Sequence, residues 1–104
     1  MTNKYITDFL QHMANLLGVK NAEYSTNADR WFNFSYGAHI LDTTPEGAAF
    51  AYMAKHIASV GKMVKNPERY SCDTWKEKLG DMANYCALIY AMRCEAEDKE
   101  HEND

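Results

Sequence analysis

Proline is scarce in this chain. The 104 residues hold two, Pro45 and Pro67, and neither interrupts an apolar stretch, so nothing in the backbone chemistry opposes helix over most of the length. Cysteine is scarce too. Cys72, Cys86 and Cys94 are odd in number and form no CxxC pair, which excludes a disulfide framework and fits reduced thiols in a cytosol. The four histidines, His12, His39, His56 and His101, lie scattered without ligand spacing, so a zinc site is excluded with them. No segment alternates at period two over the length of a strand, and no apolar run is long enough to cross a bilayer. There is no glycine-rich phosphate loop and no legible Ser, His and acid set, so no catalytic residue is assigned. Positive charge is in deficit: 11 Lys and Arg stand against 15 Asp and Glu, a net charge of -4. That balance argues against duplex nucleic acid or a membrane surface as a partner.

What is present is apolar and aromatic material, 46% and 12% of the residues, enough for one core. The fold class expected is all-α, a compact antiparallel bundle of about four helices spanning residues 1–94. Residues 95–104 hold Glu95, Glu97, Asp98, Glu100, Glu102 and Asp104 against Lys99 alone. They read as a frayed, disordered acidic tail. A domain this small leaves much of its surface uncovered, so a homo-oligomer is expected. The segment Met1-Thr2-Asn3-Lys4-Tyr5 lacks the apolar centre of a signal peptide, and the expected location is cytoplasmic.

Thr2 or Asn3 can cap a first helix carrying Tyr5, Ile6, Phe9, Leu10, Met13, Leu16 and Leu17 at helical spacing, with Gly18 as its stop and a loop from Val19 to Ala28. Asn27 is the candidate cap of a short aromatic helix with Trp31, Phe32, Phe34, Tyr36 and Ile40, in which Gly37 is a weak point. Thr44-Pro45-Glu46 starts a third helix running to about Lys65. Asn66-Pro67 ends it. Ser71 or Asp73 can cap a fourth and longest helix, beginning near Thr74, whose inner face reads Trp75, Leu79, Met82, Cys86, Ile89 and Tyr90, with Leu88, Ala91 and Met92 apolar on another side.

Two stripes and one segment hold groups with chemical potential. On the third helix Lys55, Ser59 and Lys62 share a stripe with Tyr52 beside it and His56 at the edge of the apolar face. Two ammonium groups and a hydroxyl suit a phosphate, and a ring at the margin suits a base or ribose. The plainer alternative is a solvated face whose lysine stems cover apolar surface. On the fourth helix Glu77, Asp81 and Asn84 share a stripe that offers oxygen ligands to Mg²⁺; the plainer alternative is solvated acids favouring the positive end of the helix dipole. Between Glu23 and Phe34 ionic, amide and aromatic groups crowd together. There Arg30 can fork onto a phosphate, Asn33 can read a base edge and Tyr24 can stack, while Trp31 and Phe34 serve better as core anchors.

The run Glu77-Lys78-Leu79-Gly80-Asp81-Met82-Ala83-Asn84-Tyr85 resembles the second metal-binding helix of MazG-type nucleoside triphosphate pyrophosphohydrolases. That resemblance implies Mg²⁺ held by Glu77 and Asp81 and water attacking between phosphates. The chain departs from the family at the third helix, where Lys55, Ser59 and Lys62 stand in place of clustered glutamates. The wider pattern of Glu23-Tyr24, Asp29-Arg30, Asn33-Phe34, Lys55-His56, Ser59 and Glu77 to Tyr85 resembles small phage-encoded proteins, some of which bind nucleotide signals. The expected function is binding, with sequestration of a phosphorylated nucleotide or nucleotide-derived signal, through Tyr24, Arg30, Asn33, Lys55, His56, Ser59 and Lys62 and with no cofactor. The alternatives are the Mg²⁺-dependent hydrolase and an interaction module that inhibits a host protein.

Overall fold

The computed structural model describes residues 3–25 and 31–102, without the side chains of residues 21, 23–25 and 102. The first helix, α1, spans Lys4–Ser25. Asn3 caps it: its Oδ1 accepts from the Tyr5 amide at 2.8 Å and the Ile6 amide at 3.2 Å. Gly18 does not stop α1, which continues seven residues further, through the first part of the expected loop. A glycine ends a helix by adopting left-handed φ, and no described glycine has positive φ. Without that geometry Gly18 is only a weak helix former inside a long helix.

The second helix, α2, spans Phe32–Leu41, with Trp31 at its N-cap position offering no side-chain cap. The candidate cap Asn27 lies outside the described residues. Gly37 neither bends nor ends α2. It is buried there, and a Cβ at this position would overlap the Tyr52 hydroxyl, so the missing side chain is what lets α2 and the next helix approach. Asp42 closes α2 in left-handed conformation, φ 56°, its amide bonded to the Ala38 carbonyl.

The third helix, α3, spans Pro45–Met63 and starts as the sequence predicts: the Thr44 hydroxyl accepts from the Gly47 amide at 3.0 Å and Pro45 takes the first turn. A 3-10 turn at Pro67–Arg69 leads into α4, Cys72–Glu102. Ser71 is the cap, its Oγ accepting from the Thr74 amide at 3.2 Å. Residues 95–102 of the expected tail are the last turns of α4. Glu95 accepts a hydrogen bond from the Trp31 indole, and His101 stands 3.8 Å from Glu97 one turn away. Lys99 and His101 favour the negative end of the helix dipole.

The packing centres on α4, against which α3 and α1 lie, while α2 packs on α3. Phe34, Ala49, Leu88 and Met92 form a buried cluster, flanked by Trp31, Tyr52, Tyr85 and Ile89. The inner face of α4 is therefore the Leu88 and Met92 side. Cys86 is exposed, as are Tyr90 and in part Leu79, which corrects the inner face expected from spacing. A helix apolar on two sides leaves its phase undecided until its neighbours choose one.

Direction also departs from expectation. Ala49 meets Leu88 and Met92 while Trp75 bonds the Pro67 carbonyl at 3.3 Å, so α3 runs antiparallel to α4. By contrast Asp8 pairs with Lys76 at 3.3 Å, and His12 and Met13 sit over Gly80, so α1 runs parallel to α4. Short loops force antiparallel neighbours, and two whole helices intervene between α1 and α4. The molecule measures 51 × 33 × 23 Å with a radius of gyration of 16.1 Å, above the ~13 Å of a compact chain this size. Among the described residues no helix is long and apolar enough to cross a membrane.

Candidate functional site at the seam of α3 and α4

The ends of α3 and α4 are fixed by the Thr44 and Ser71 caps, and the antiparallel register then sets the middle of α3 against the first half of α4. There His56 Nδ1 lies 3.7 Å from Asp81 Oδ2. The His56 ring stands 5.5 Å from that of Tyr85, tilted by 35°. One turn along from Asp81, Asn84 keeps its Oδ1 buried with no hydrogen-bond partner.

Lys55 precedes His56 on α3 and Glu77 lies one turn before Asp81 on α4; the His56 to Asp81 pair joins the two helices here. Lys55 and Lys62 are exposed and Ser59 is half-buried. Neither lysine has a carboxylate within 4.0 Å among the described residues. Asn33 is also exposed, at the start of α2, and its main-chain oxygen accepts from the Tyr52 hydroxyl at 3.4 Å. That bond holds the uncapped N-terminus of α2 beside the turn of α3 that precedes Lys55. Arg30 and the Tyr24 side chain lie outside the described residues.

Glu77 and Asp81 are both reached by solvent. Among the described residues no three His, Cys, Asp or Glu side chains are grouped so as to hold a metal ion. Mg²⁺ keeps several waters and is held through one or two carboxylates together with substrate phosphates; Glu77 and Asp81 would supply two carboxylates from one helix, one of them facing His56. On the solvent stripe of α4, the Tyr90 phenol is pushed above its ordinary range by its hydrogen bond to Cys94 and by its electrostatic interaction with that side chain.

Two partners in this arrangement escape sequence reasoning. Asp81 reads from spacing as a metal ligand, yet it faces a histidine. Tyr85 reads as a generic aromatic, yet it stands beside the His56 ring. Both relations cross between helices, and spacing along one helix carries no signal of them.

A second concavity lies between the first turns of α1 and α4. It is a groove of about 740 Å³ whose walls include Tyr5, Phe9, Leu10, Trp75 and Leu79.

Comparison with protein-family models, curated proteins and solved structures returned no match to this chain.

Proposed function

We propose that this chain is a phage-type helical homo-oligomer that binds a small phosphorylated nucleotide, or a signalling molecule derived from one, and retains it without cleaving it. The observation that supports the reading is the Tyr52 to Asn33 hydrogen bond, which ties the start of α2, where no side chain caps the helix, to the turn of α3 that precedes Lys55. The free amides and positive dipole end of a helix attract a phosphate. On α3 the ammonium groups of Lys55 and Lys62 and the Ser59 hydroxyl add charge and hydrogen-bonding capacity. His56 and Tyr85 provide rings at the margin for a base or ribose, and Arg30 and Tyr24 precede α2 closely in the chain. Retention is preferred to hydrolysis because, among the described residues, no third His, Cys, Asp or Glu is grouped with Glu77 and Asp81. The resemblances to MazG-type hydrolases and to phage-encoded proteins support a nucleotide as the ligand and do not by themselves assign turnover.

The test is native mass spectrometry of gently purified protein, followed by titration calorimetry with nucleoside phosphates and cyclic oligonucleotides. A retained nucleotide mass is expected, and Lys55→Glu with Lys62→Glu should weaken binding by at least ~10-fold with helicity unchanged. Unchanged affinity in that variant sinks the phosphate assignment. Pyrophosphate release with Mg²⁺ or Mn²⁺ would install the hydrolase in its place, and a host protein captured without any nucleotide would install the interaction module.

A further inference from the structure

The course of α1 along α4 can be followed turn by turn. Asp8 pairs with Lys76 at 3.3 Å across a separation of 68 residues. One turn further on, His12 and Met13 rest over Gly80, where an added Cβ would stand 2.9 Å from His12 Nε2 and 3.4 Å from Met13 Sδ. The separation of His12 from Gly80 equals that of Asp8 from Lys76, so the two parallel helices keep one register over these turns. Lys76, Gly80 and Asn84 follow one another at intervals of four and therefore share a stripe of α4. The same register sets Leu16, half-buried, opposite Asn84. That pairing accounts for the Asn84 Oδ1, which is buried and has no hydrogen-bond partner among the described residues, because a leucine side chain has no donor to offer it.

Each step of this stripe holds α1 weakly. The Asp8 side chain is 60% exposed in its pair with Lys76, and an ion pair so open to solvent contributes little. Gly80 admits α1 closely and supplies no side chain to pack. Asn84 keeps an acceptor from water that solvent would satisfy with α1 away. Met13 is the one buried side chain of α1 among the described residues. By contrast the cluster of Phe34, Ala49, Leu88 and Met92, which joins α2, α3 and α4, takes nothing from α1.

We propose that the first turns of α1, residues 4–17, form a releasable strap: they leave α4 while α2, α3 and α4 stay packed, and the mismatch of Leu16 with Asn84 is the point that favours release. Detachment turns the Asn84 carboxamide to solvent. Asn84 adjoins Tyr85 in the chain and lies one turn from Asp81, so release exposes a hydrogen-bonding amide beside the two residues that face His56. The inference rests on the packing of α1 and stands whether or not a nucleotide binds at that seam.

Native-state hydrogen exchange of the full chain in low urea, read amide by amide by NMR, tests this. Protection of the amides of residues 8–17 is expected to be at least ~100-fold lower than that of residues 85–92 and to depend little on urea, since a short helix away from its support is marginal in water. Equal protection and equal urea dependence in the two groups would mean that α1 leaves only when the whole chain unfolds, and that overturns the strap. The isosteric Asn84→Leu should raise protection of residues 8–17 at least ~10-fold relative to residues 85–92. A ratio unchanged, or moved the other way, overturns Asn84 as the point of release. Should Asn84→Leu lose the fold, the surface change Asp8→Lys sets two ammonium groups together and gives a second measurement. It should lower protection of residues 8–17 about 3-fold or more and leave residues 85–92 as they were; a uniform loss of protection, or none, overturns the strap.

Discussion

The two flanks of α4 are built to different standards. On one, α2 and α3 close over Phe34, Ala49, Leu88 and Met92, with Trp31, Tyr52, Tyr85 and Ile89 filling the margins. On the other, α1 buries Met13 and leaves Tyr5, Ile6 and Leu10 in solvent. The contrast runs opposite to the sequence, where α1 has the cleanest amphipathic pattern and α2 is a short helix with glycine in its middle. Periodicity reports that a face needs cover. It does not report which element supplies the cover, and here α2 obtains it within the chain through a close approach at Gly37.

The largest effect that tests this contrast is a pair of truncations. Phe34→Ala should cost about 3–5 kcal/mol in urea denaturation, whereas Met13→Ala should cost ~2 kcal/mol, because Met13 is buried outside the cluster that holds Phe34. Equal costs would erase the distinction between the flanks. A second pair should differ in sign. Gly37→Ala forces a methyl group against Tyr52 and should destabilise by about 1–3 kcal/mol. Gly18→Ala meets nothing within 4 Å and should stabilise by roughly 0.5–1 kcal/mol; thermal melts read both. The smallest effect concerns the caps. Thr44→Ala should lower global stability by about 1 kcal/mol. Asn3→Ala removes an equivalent cap, but its effect should show in faster hydrogen exchange at the Tyr5 and Ile6 amides with little change in the melting midpoint.

Those caps were the most legible part of the fold. Asn3, Thr44-Pro45-Glu46 and Ser71 act on amides two or three residues away, so their chemistry is complete within a short window of sequence. The Gly18 stop failed because glycine permits a turn without requiring one. Residues 95–102 are helical, and Glu95 has a partner 64 residues distant in the Trp31 indole, which no local composition encodes. The candidate site divides in the same way. The Lys55, Ser59 and Lys62 stripe was readable from one helix, whereas the facing of His56 and Asp81 depends on the register between two. The parallel course of α1 was illegible for the same reason, since no short loop ties it to α4.

The central position of α4 also has a consequence for biosynthesis. This helix follows α1, α2 and α3 in the chain, so while it is being made the earlier helices have emerged and lack their common support. The Lys76 to Asp8 contact spans 68 residues, and α1 has no other substantial place to dock. During translation α1 is therefore an unanchored amphipathic segment, open to chaperones and to neighbouring nascent copies, and its docking waits for α4 to arrive.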